Sequence, residues 1–288
     1  MLDLSLDRDA APTRDAATLI VVRDRDGASE APMEVFCVER HKKSAFLGGA
    51  IVFPGGKLDA GDSDAAWATC ATQPNARAAQ LSKDERALRA LAVAACRETL
   101  EEAAILPVHG GTVTHDELLA LRAANTSILA FLQARGMLLD LAALHPMARW
   151  VTPKAEARRY DTCFFLMVLP PGQLGAHDDH ETMASFWAHP TNVLERFAAG
   201  TVQLAPPTHR TLEILASCKR AADAVALARA SCLDPICPEL LPHVDGTGET
   251  LALVLPGDPA HSLREARVPG RSRFVLRDGK WLPEHPPA

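Results

Sequence analysis

The stretch Arg97-Glu98-Thr99-Leu100-Glu101-Glu102-Ala103-Ala104-Ile105 constrains the fold of this chain more than any other. It reads as part of a helix. At about 100° per residue, with Glu98 set to zero, Glu102 falls near 40° and Glu101 near 300°, so three carboxylates share an arc of about 100°. Thr99, Ala92, Ala103, Cys96, Leu100 and Val93 fall between roughly 100° and 220° on the same wheel. Such a helix buries one side and presents a carboxylate cluster on the other. Arg97 stands four residues before Glu101 and can hold it. Carboxylates packed this closely repel one another, and an oxygen-seeking divalent cation relieves the repulsion. Mg²⁺ suits carboxylates and water and commonly bridges to substrate phosphates. An E-x-x-E-E pattern also describes a solvated acidic face, so the sequence upstream has to decide.

Upstream lies Gly48-Gly49-Ala50-Ile51-Val52-Phe53-Pro54-Gly55-Gly56-Lys57-Leu58-Asp59-Ala60-Gly61-Asp62. It reads as a strand followed by a Gly-rich loop, and glycines there let backbone groups approach a metal or a phosphate closely. Before it, 17–22 and 34–39 read as strands around a polar turn. After it, 57–81 is irregular, with 63–81 read as a surface excursion. Ser82-Lys83-Asp84-Glu85 reads as a capping box that starts the carboxylate helix, which runs to about Ala104 before Pro107. Thr114 with Glu117 caps a second helix, and 127–135 forms a third, ended by Gly136. Strands are expected at 147–152, 161–169 and 184–188, and a short helix at 191–199. One long helix is expected over 208–230. Beyond Pro235 the pattern changes to a small β extension.

Composition narrows the function. Lys plus Arg number 30 and Asp plus Glu 36, a net charge of −6, which argues against a general nucleic-acid grip. No apolar run is long enough for a transmembrane helix, and the opening residues lack the apolar core of a signal peptide. The seven cysteines include no C-x-x-C pair and no zinc spacing, which suits reduced thiols in a cytoplasmic protein. Neither a nucleic-acid nor a membrane partner is expected.

In this setting the residues resemble the Nudix hydrolases. The family box has Gly, five residues, Glu, seven residues, then Arg-Glu, an apolar residue, any residue, Glu-Glu, any residue, Gly and an apolar residue. Gly56 matches its first glycine, and Arg97, Glu98, Glu101, Glu102 and Ile105 match its second half. Asp62 stands where Glu is usual, Thr99 replaces the apolar residue, and Ala104 replaces the last glycine. An insertion of 27 residues splits the box. The split resembles the Nudix branch that includes the peroxisomal coenzyme A diphosphatase. Ala45-Phe46-Leu47, Trp150-Val151-Thr152-Pro153, the 159–165 segment and Pro206-Pro207-Thr208 add to the similarity. The C-terminal peroxisomal tripeptide of that branch is missing, since the chain ends Pro-Pro-Ala.

The resemblance implies an α/β fold, an α/β/α sandwich with a mixed sheet, over residues 15–234. Helical insertions fall near 63–81 and 112–145, a loose arm at 1–14 and the β extension at 235–288. It implies hydrolysis of a nucleoside diphosphate conjugate with Mg²⁺ or Mn²⁺. Glu98, Glu101, Glu102 and the Gly56 carbonyl are then the metal ligands, and Arg97 orients the carboxylates. The general base is a box glutamate or a loop acid, for which Glu181 is the candidate. Arg40 and Arg159 are candidates for the substrate phosphates. Coenzyme A or acyl-coenzyme A is the leading substrate, ADP-ribose or a dinucleotide such as NADH the rival. A nucleotide-binding regulatory module without catalysis is the alternative of another class.

Overall fold

The computed structural model describes residues 3–6, 9–25, 33–40, 49–124, 126–176, 182–246 and 248–286. Ala45-Phe46-Leu47 and the candidate base Glu181 lie outside the described residues. In chain order the strands are β1 (Thr13–Arg23), β2 (Glu34–Arg40), β3 (Ala50–Val52), β4 (Gly55–Lys57), β5 (Val108–His109), β6 (Leu138–Leu139), β7 (His145–Val151), β8 (Arg159–Val168), β9 (Thr182–Ala188), β10 (Gln203–Leu204) and β11 (Pro235–Ile236). Four more, β12 (Glu239–Asp245), β13 (Gly248–Val254), β14 (Arg273–Arg277) and β15 (Lys280–Glu284), follow at the C-terminus. The helices are α1 (Trp67–Cys70), α2 (Glu85–Ala103), α3 (His115–Ala123), α4 (Ile128–Arg135), α5 (Pro190–Ala198), α6 (Pro206–Leu215) and α7 (Ala221–Ala230).

Among the described residues the main sheet has nine strands, in the order β10-β3-β2-β1-β8-β7-β11, with β4 on β1 and β9 on β2. β1 runs parallel to β8 and antiparallel to β2 and β4, so the sheet is mixed. Its central strands are apolar at successive positions because both faces are covered. Ala17, Leu19 and Val21 of β1 and Phe165 and Met167 of β8 join α2 and Leu118 of α3 in one core cluster. Ile20, Val22, Phe164 and Leu166 face the other way, against α5, α6 and α7. This is the expected α/β/α arrangement.

Four elements differ from the sequence reading. The arm expected to be loose at 1–14 is held: Asp3 N–H donates to Glu156 Oε2 at 2.8 Å, Ser5 N–H to Ala155 O at 2.9 Å, and Thr13 and Arg14 already belong to β1. The N-cap of α2 is Asp84, not Ser82: the Asp84 carboxylate accepts from the N–H of Arg86 and Ala87, while Ser82 Oγ accepts from Asp84 N–H. The long helix expected over 208–230 is two helices. Asp223 Oδ2 accepts from the N–H of Lys219 and Arg220, and Asp24 Oδ1 accepts from Ala221 N–H, so α7 starts on its own cap. The 63–81 insertion is no surface excursion. Trp67, Cys70, Ala71, Ala78 and Leu81 are buried in the α2 cluster, and Arg77 donates to the carbonyls of Pro146, Ala228 and Ser231. The insertion therefore ties α2 to the end of α7.

The C-terminal strands form a separate antiparallel sheet, β12-β13-β14-β15. Leu253 and Phe274 plant it in the α5–α7 cluster. Asp258, fully buried, receives two hydrogen bonds from Arg273 at 3.0 and 2.6 Å and one from Ser272 at 2.7 Å. No helix of the described residues is long and apolar enough to cross a membrane.

Candidate active site

β4 shares the edge of β1 with β2: Ala16, Ala17 and Thr18 pair with Lys57, Gly56 and Gly55. Leu19 N–H adds a bond to Pro54 O at 2.9 Å. The C-terminal half of α2 lies directly against this loop, and the closeness demands glycine. A Cβ at Gly56 would stand 2.3 Å from Glu98 Oε1, and one at Gly55 2.5 Å from Ala17 O. Glu102 Oε2 accepts from Gly55 N–H at 3.1 Å. The arc of small and apolar residues on α2 is buried as expected, and so is part of the carboxylate arc. Glu102 is 4% exposed, the Glu98 side chain 13% and the Glu101 side chain 52%.

Arg97 gathers the acids. Its Nε and Nη2 donate to the two oxygens of Asp62 at 2.9 and 3.1 Å, and Nη2 also reaches Lys57 O at 3.0 Å. Its Nη1 donates to Glu98 Oε1 at 2.9 Å and to Glu101 Oε2 at 3.0 Å. The short side chain of Asp62 suffices because the 3₁₀ turn 60–63 carries it inward, where it is 2% exposed and accepts from Asp59 N–H at 2.8 Å. Burial works against the Arg97 charge, but the bonds and charges of Asp62, Glu98 and Glu101 outweigh it and hold the guanidinium protonated. Burial raises the Glu101 carboxyl above its ordinary range against the pull of Arg97, and the charges of Asp62 and Asp59 add to the rise. Two substitutions in the box are accommodated locally. Thr99 is buried and donates to Ala95 O at 2.7 Å, and Ala104 takes the left-handed conformation (φ 51°) where a glycine is usual.

Among the described residues, no three His, Cys, Asp or Glu side chains already converge on one point. Glu98 and Glu101 are drawn to Arg97, and Glu102 to Gly55 N–H. The donor set still fits a hard divalent cation: the acids are oxygen donors, and no described His or Cys lines the space they face. Gly56 leaves a side-chain-free cradle beside Glu98. Nudix hydrolases generally use divalent metal ions.

The acids open on a cavity of about 490 Å³. Its polar end holds Glu98, Glu101, Glu102, Arg97, Lys57 and Asp59, and Arg40 also lines it. Its apolar walls are Phe53, Trp150, Phe164, Pro238 and Leu253. Trp150 and Phe164 are core residues as expected, 4% and 6% exposed, and they serve the cavity too. Arg159 is placed elsewhere. Its Nε donates to Thr152 O and Pro153 O, both at 3.2 Å, and Nη1 to Ala11 O at 2.6 Å. Three backbone carbonyls occupy the guanidinium that the sequence reading gave to substrate. Sequence reasoning missed Leu253 and Pro238, which carry no local signal; only the tertiary docking of the C-terminal sheet brings them here.

Comparison with known proteins agrees with this geometry. The family model described as the NUDT19 Nudix domain matches residues 13–215, more than half of the chain. A crystal structure of a Nudix hydrolase from Alicyclobacillus acidocaldarius superposes with a TM-score of 0.61 at 35% identity, covering 75% of this chain and 96% of that one. Acyl-coenzyme A diphosphatase NUDT19 of Gallus gallus is 27% identical over 93% of this chain and 85% of its own length. The Xenopus laevis protein of the same name is 24% identical over 60% of this chain and 57% of its own length. The split box, the acids gathered on Arg97 and these matches lead to one assignment: the chain belongs to the Nudix hydrolases and is an enzyme that hydrolyses diphosphate linkages.

Proposed function

We propose that the enzyme cleaves the diphosphate of coenzyme A or an acyl-coenzyme A, giving a 4′-phosphopantetheine-type product and adenosine 3′,5′-bisphosphate. The observation that carries this reading is the continuity of one cavity from the carboxylates of α2 to the aromatic and aliphatic walls. Such a space suits a diphosphate flanked by bulky organic groups. The named activity of the Gallus gallus and Xenopus laevis relatives supports the same substrate.

Glu98, Glu101, Glu102 and the Gly56 carbonyl would hold Mg²⁺ or Mn²⁺. When bound, the cation offsets charge on the phosphoryl oxygens. The protein does the rest. Arg97 fixes the orientation of Glu98 and Glu101 by direct hydrogen bonds. A box carboxylate accepts the proton of the attacking water, which enters phosphorus as the bridging oxygen leaves with the other half of the substrate. Arg40 offers its charge to a phosphate. Phe53, Trp150, Phe164 and Leu253 exclude bulk water from the organic arms, which strengthens the charged contacts.

The Trp150 and Phe164 rings also suit a nucleobase, which keeps ADP-ribose and NADH as the second reading. All seven cysteines are unpaired, which supports a reducing, cytoplasmic setting. The first test is chelation. Excess chelator should abolish turnover and added Mg²⁺ or Mn²⁺ should restore it; full turnover in chelator contradicts the ligand assignment.

A further inference from the structure

The first turn of α6 lines the cavity through Pro206, Pro207 and Thr208. Its N-cap is Ala205, which has no side chain to cap with. The two prolines have no N–H to offer. The N–H of His209 goes to Ala205 O at 2.9 Å. Thr208 N–H is therefore the one donor of this turn left over, and it has no acceptor among the described residues. The Thr208 hydroxyl has no hydrogen-bond partner among them either, and Thr208, only 5% exposed, lines the cavity. A hydroxyl and a helix N–H, side by side on a cavity wall and neither met by the protein, form a receptor for an acceptor that the protein does not itself supply.

Charge identifies the acceptor. The partial positive charge of a helix N-terminus favours an anion. Arg40 lines the same cavity, and its Nε, shielded from solvent, also has no hydrogen-bond partner among the described residues. The four acids that line the cavity, Asp59, Glu98, Glu101 and Glu102, all come from the box; none comes from α6 or from β2. α2 and α6 pack on opposite faces of the sheet, so the unmet donors and the carboxylates belong to different walls.

We propose that the first turn of α6, through Thr208 N–H and Oγ and assisted by Arg40, binds a phosphate monoester of the substrate that lies outside the diphosphate being cleaved. This rests on the diphosphatase reading above and deepens it. The diphosphate belongs with the carboxylates and their cation. A second, uncleaved phosphate needs donors with no acid beside them, which is what this wall provides. In a coenzyme A-type substrate that group is the ribose 3′-phosphate.

The test compares coenzyme A with 3′-dephospho-coenzyme A in the wild type, Thr208→Val, Thr208→Ser and Arg40→Met. Thr208→Val should raise KM for coenzyme A about tenfold, the size of a hydrogen bond to a charged group, and KM for the dephospho substrate less than twofold. Thr208→Ser should restore the wild-type value, and Arg40→Met should shift KM in the same selective way. An equal rise for both substrates, or no change in either, overturns the proposal. Direct binding provides an arm that needs no turnover. Metal-free wild type should bind adenosine 3′,5′-bisphosphate at least tenfold tighter than adenosine 5′-monophosphate, and Thr208→Val should erase that margin. If the enzyme cleaves neither coenzyme A substrate, the coenzyme A reading fails, and the titration still judges the site: equal binding of the two nucleotides overturns it.

Discussion

Gly55 and Gly56 are neighbours in one short strand, and the space around each dictates a different consequence of adding a methyl group. At Gly55 the new Cβ meets backbone, Ala17 O at 2.5 Å and Thr18 Cα at 2.7 Å, which cannot yield without breaking the pairing of β4 with β1. At Gly56 it meets the end of the Glu98 side chain, which can swing away. Gly55→Ala should lower the unfolding temperature markedly. Gly56→Ala should keep the wild-type unfolding temperature yet lose activity, because the displaced carboxylate is a proposed metal ligand. Glu98→Gln should match Gly56→Ala, with kcat reduced by a factor on the order of 10² or more and stability intact. A Gly56→Ala enzyme with near-normal kcat would contradict the role given to Glu98.

Among the elements, α3 and α4 follow their caps closely, because Thr114 with Glu117 and Ser127 with Gly136 are complete local instructions. The apolar arc of α2 is equally legible, since its period alone says which side is covered. Other elements depend on remote partners. The break between α6 and α7 uses Asp24, nearly two hundred residues away in sequence, and the irregular 63–81 segment earns its place only by packing Trp67 under α2. The same holds for the docking of the C-terminal sheet. Glu213 of α6 accepts from Arg210 of its own helix and from Arg271 of the C-terminal unit, and Arg210 also donates to Arg271 O. Burial raises the Glu213 carboxyl, but His209, Arg210 and Arg271 outweigh it and bring it from the ordinary 4.5 down to about 2. A lowered carboxylate adds stability that is fully present above about pH 4.5 and is lost as pH falls through its folded value. Stability should therefore fall by about 3 kcal/mol between pH 5 and pH 2 through this group. Glu213→Gln should lose a comparable amount at pH 7, about 3 kcal/mol, by stranding the buried guanidinium of Arg210, and should show a flatter acid dependence. Thermal unfolding of both proteins across that range checks it; parallel acid profiles would remove Glu213 from the clamp.

At the scale of the whole molecule, the site is a joint product of three layers. α2 supplies the carboxylates from one face of the sheet, α6 the unmet donors from the other, and the C-terminal sheet a wall through Leu253. That sheet lies beyond residue 215, where the family match ends, and it reaches the cavity through Leu253. The carboxylate end was legible in the sequence because its residues are close in the chain. The apolar end was not, because Phe53, Trp150 and Leu253 meet only in the fold. A net charge of −6 opposes a polyanionic substrate, so attraction has to come from local cations. Raising ionic strength should raise KM more than it lowers kcat, and a kcat effect alone would argue against that attraction. The most direct test of the account is product analysis by mass spectrometry after incubation with Mg²⁺ and, in parallel, coenzyme A, an acyl-coenzyme A, ADP-ribose and NADH. The account predicts 4′-phosphopantetheine or its acyl form together with adenosine 3′,5′-bisphosphate from the first two; no cleavage of either, with brisk cleavage of ADP-ribose or NADH, would contradict it.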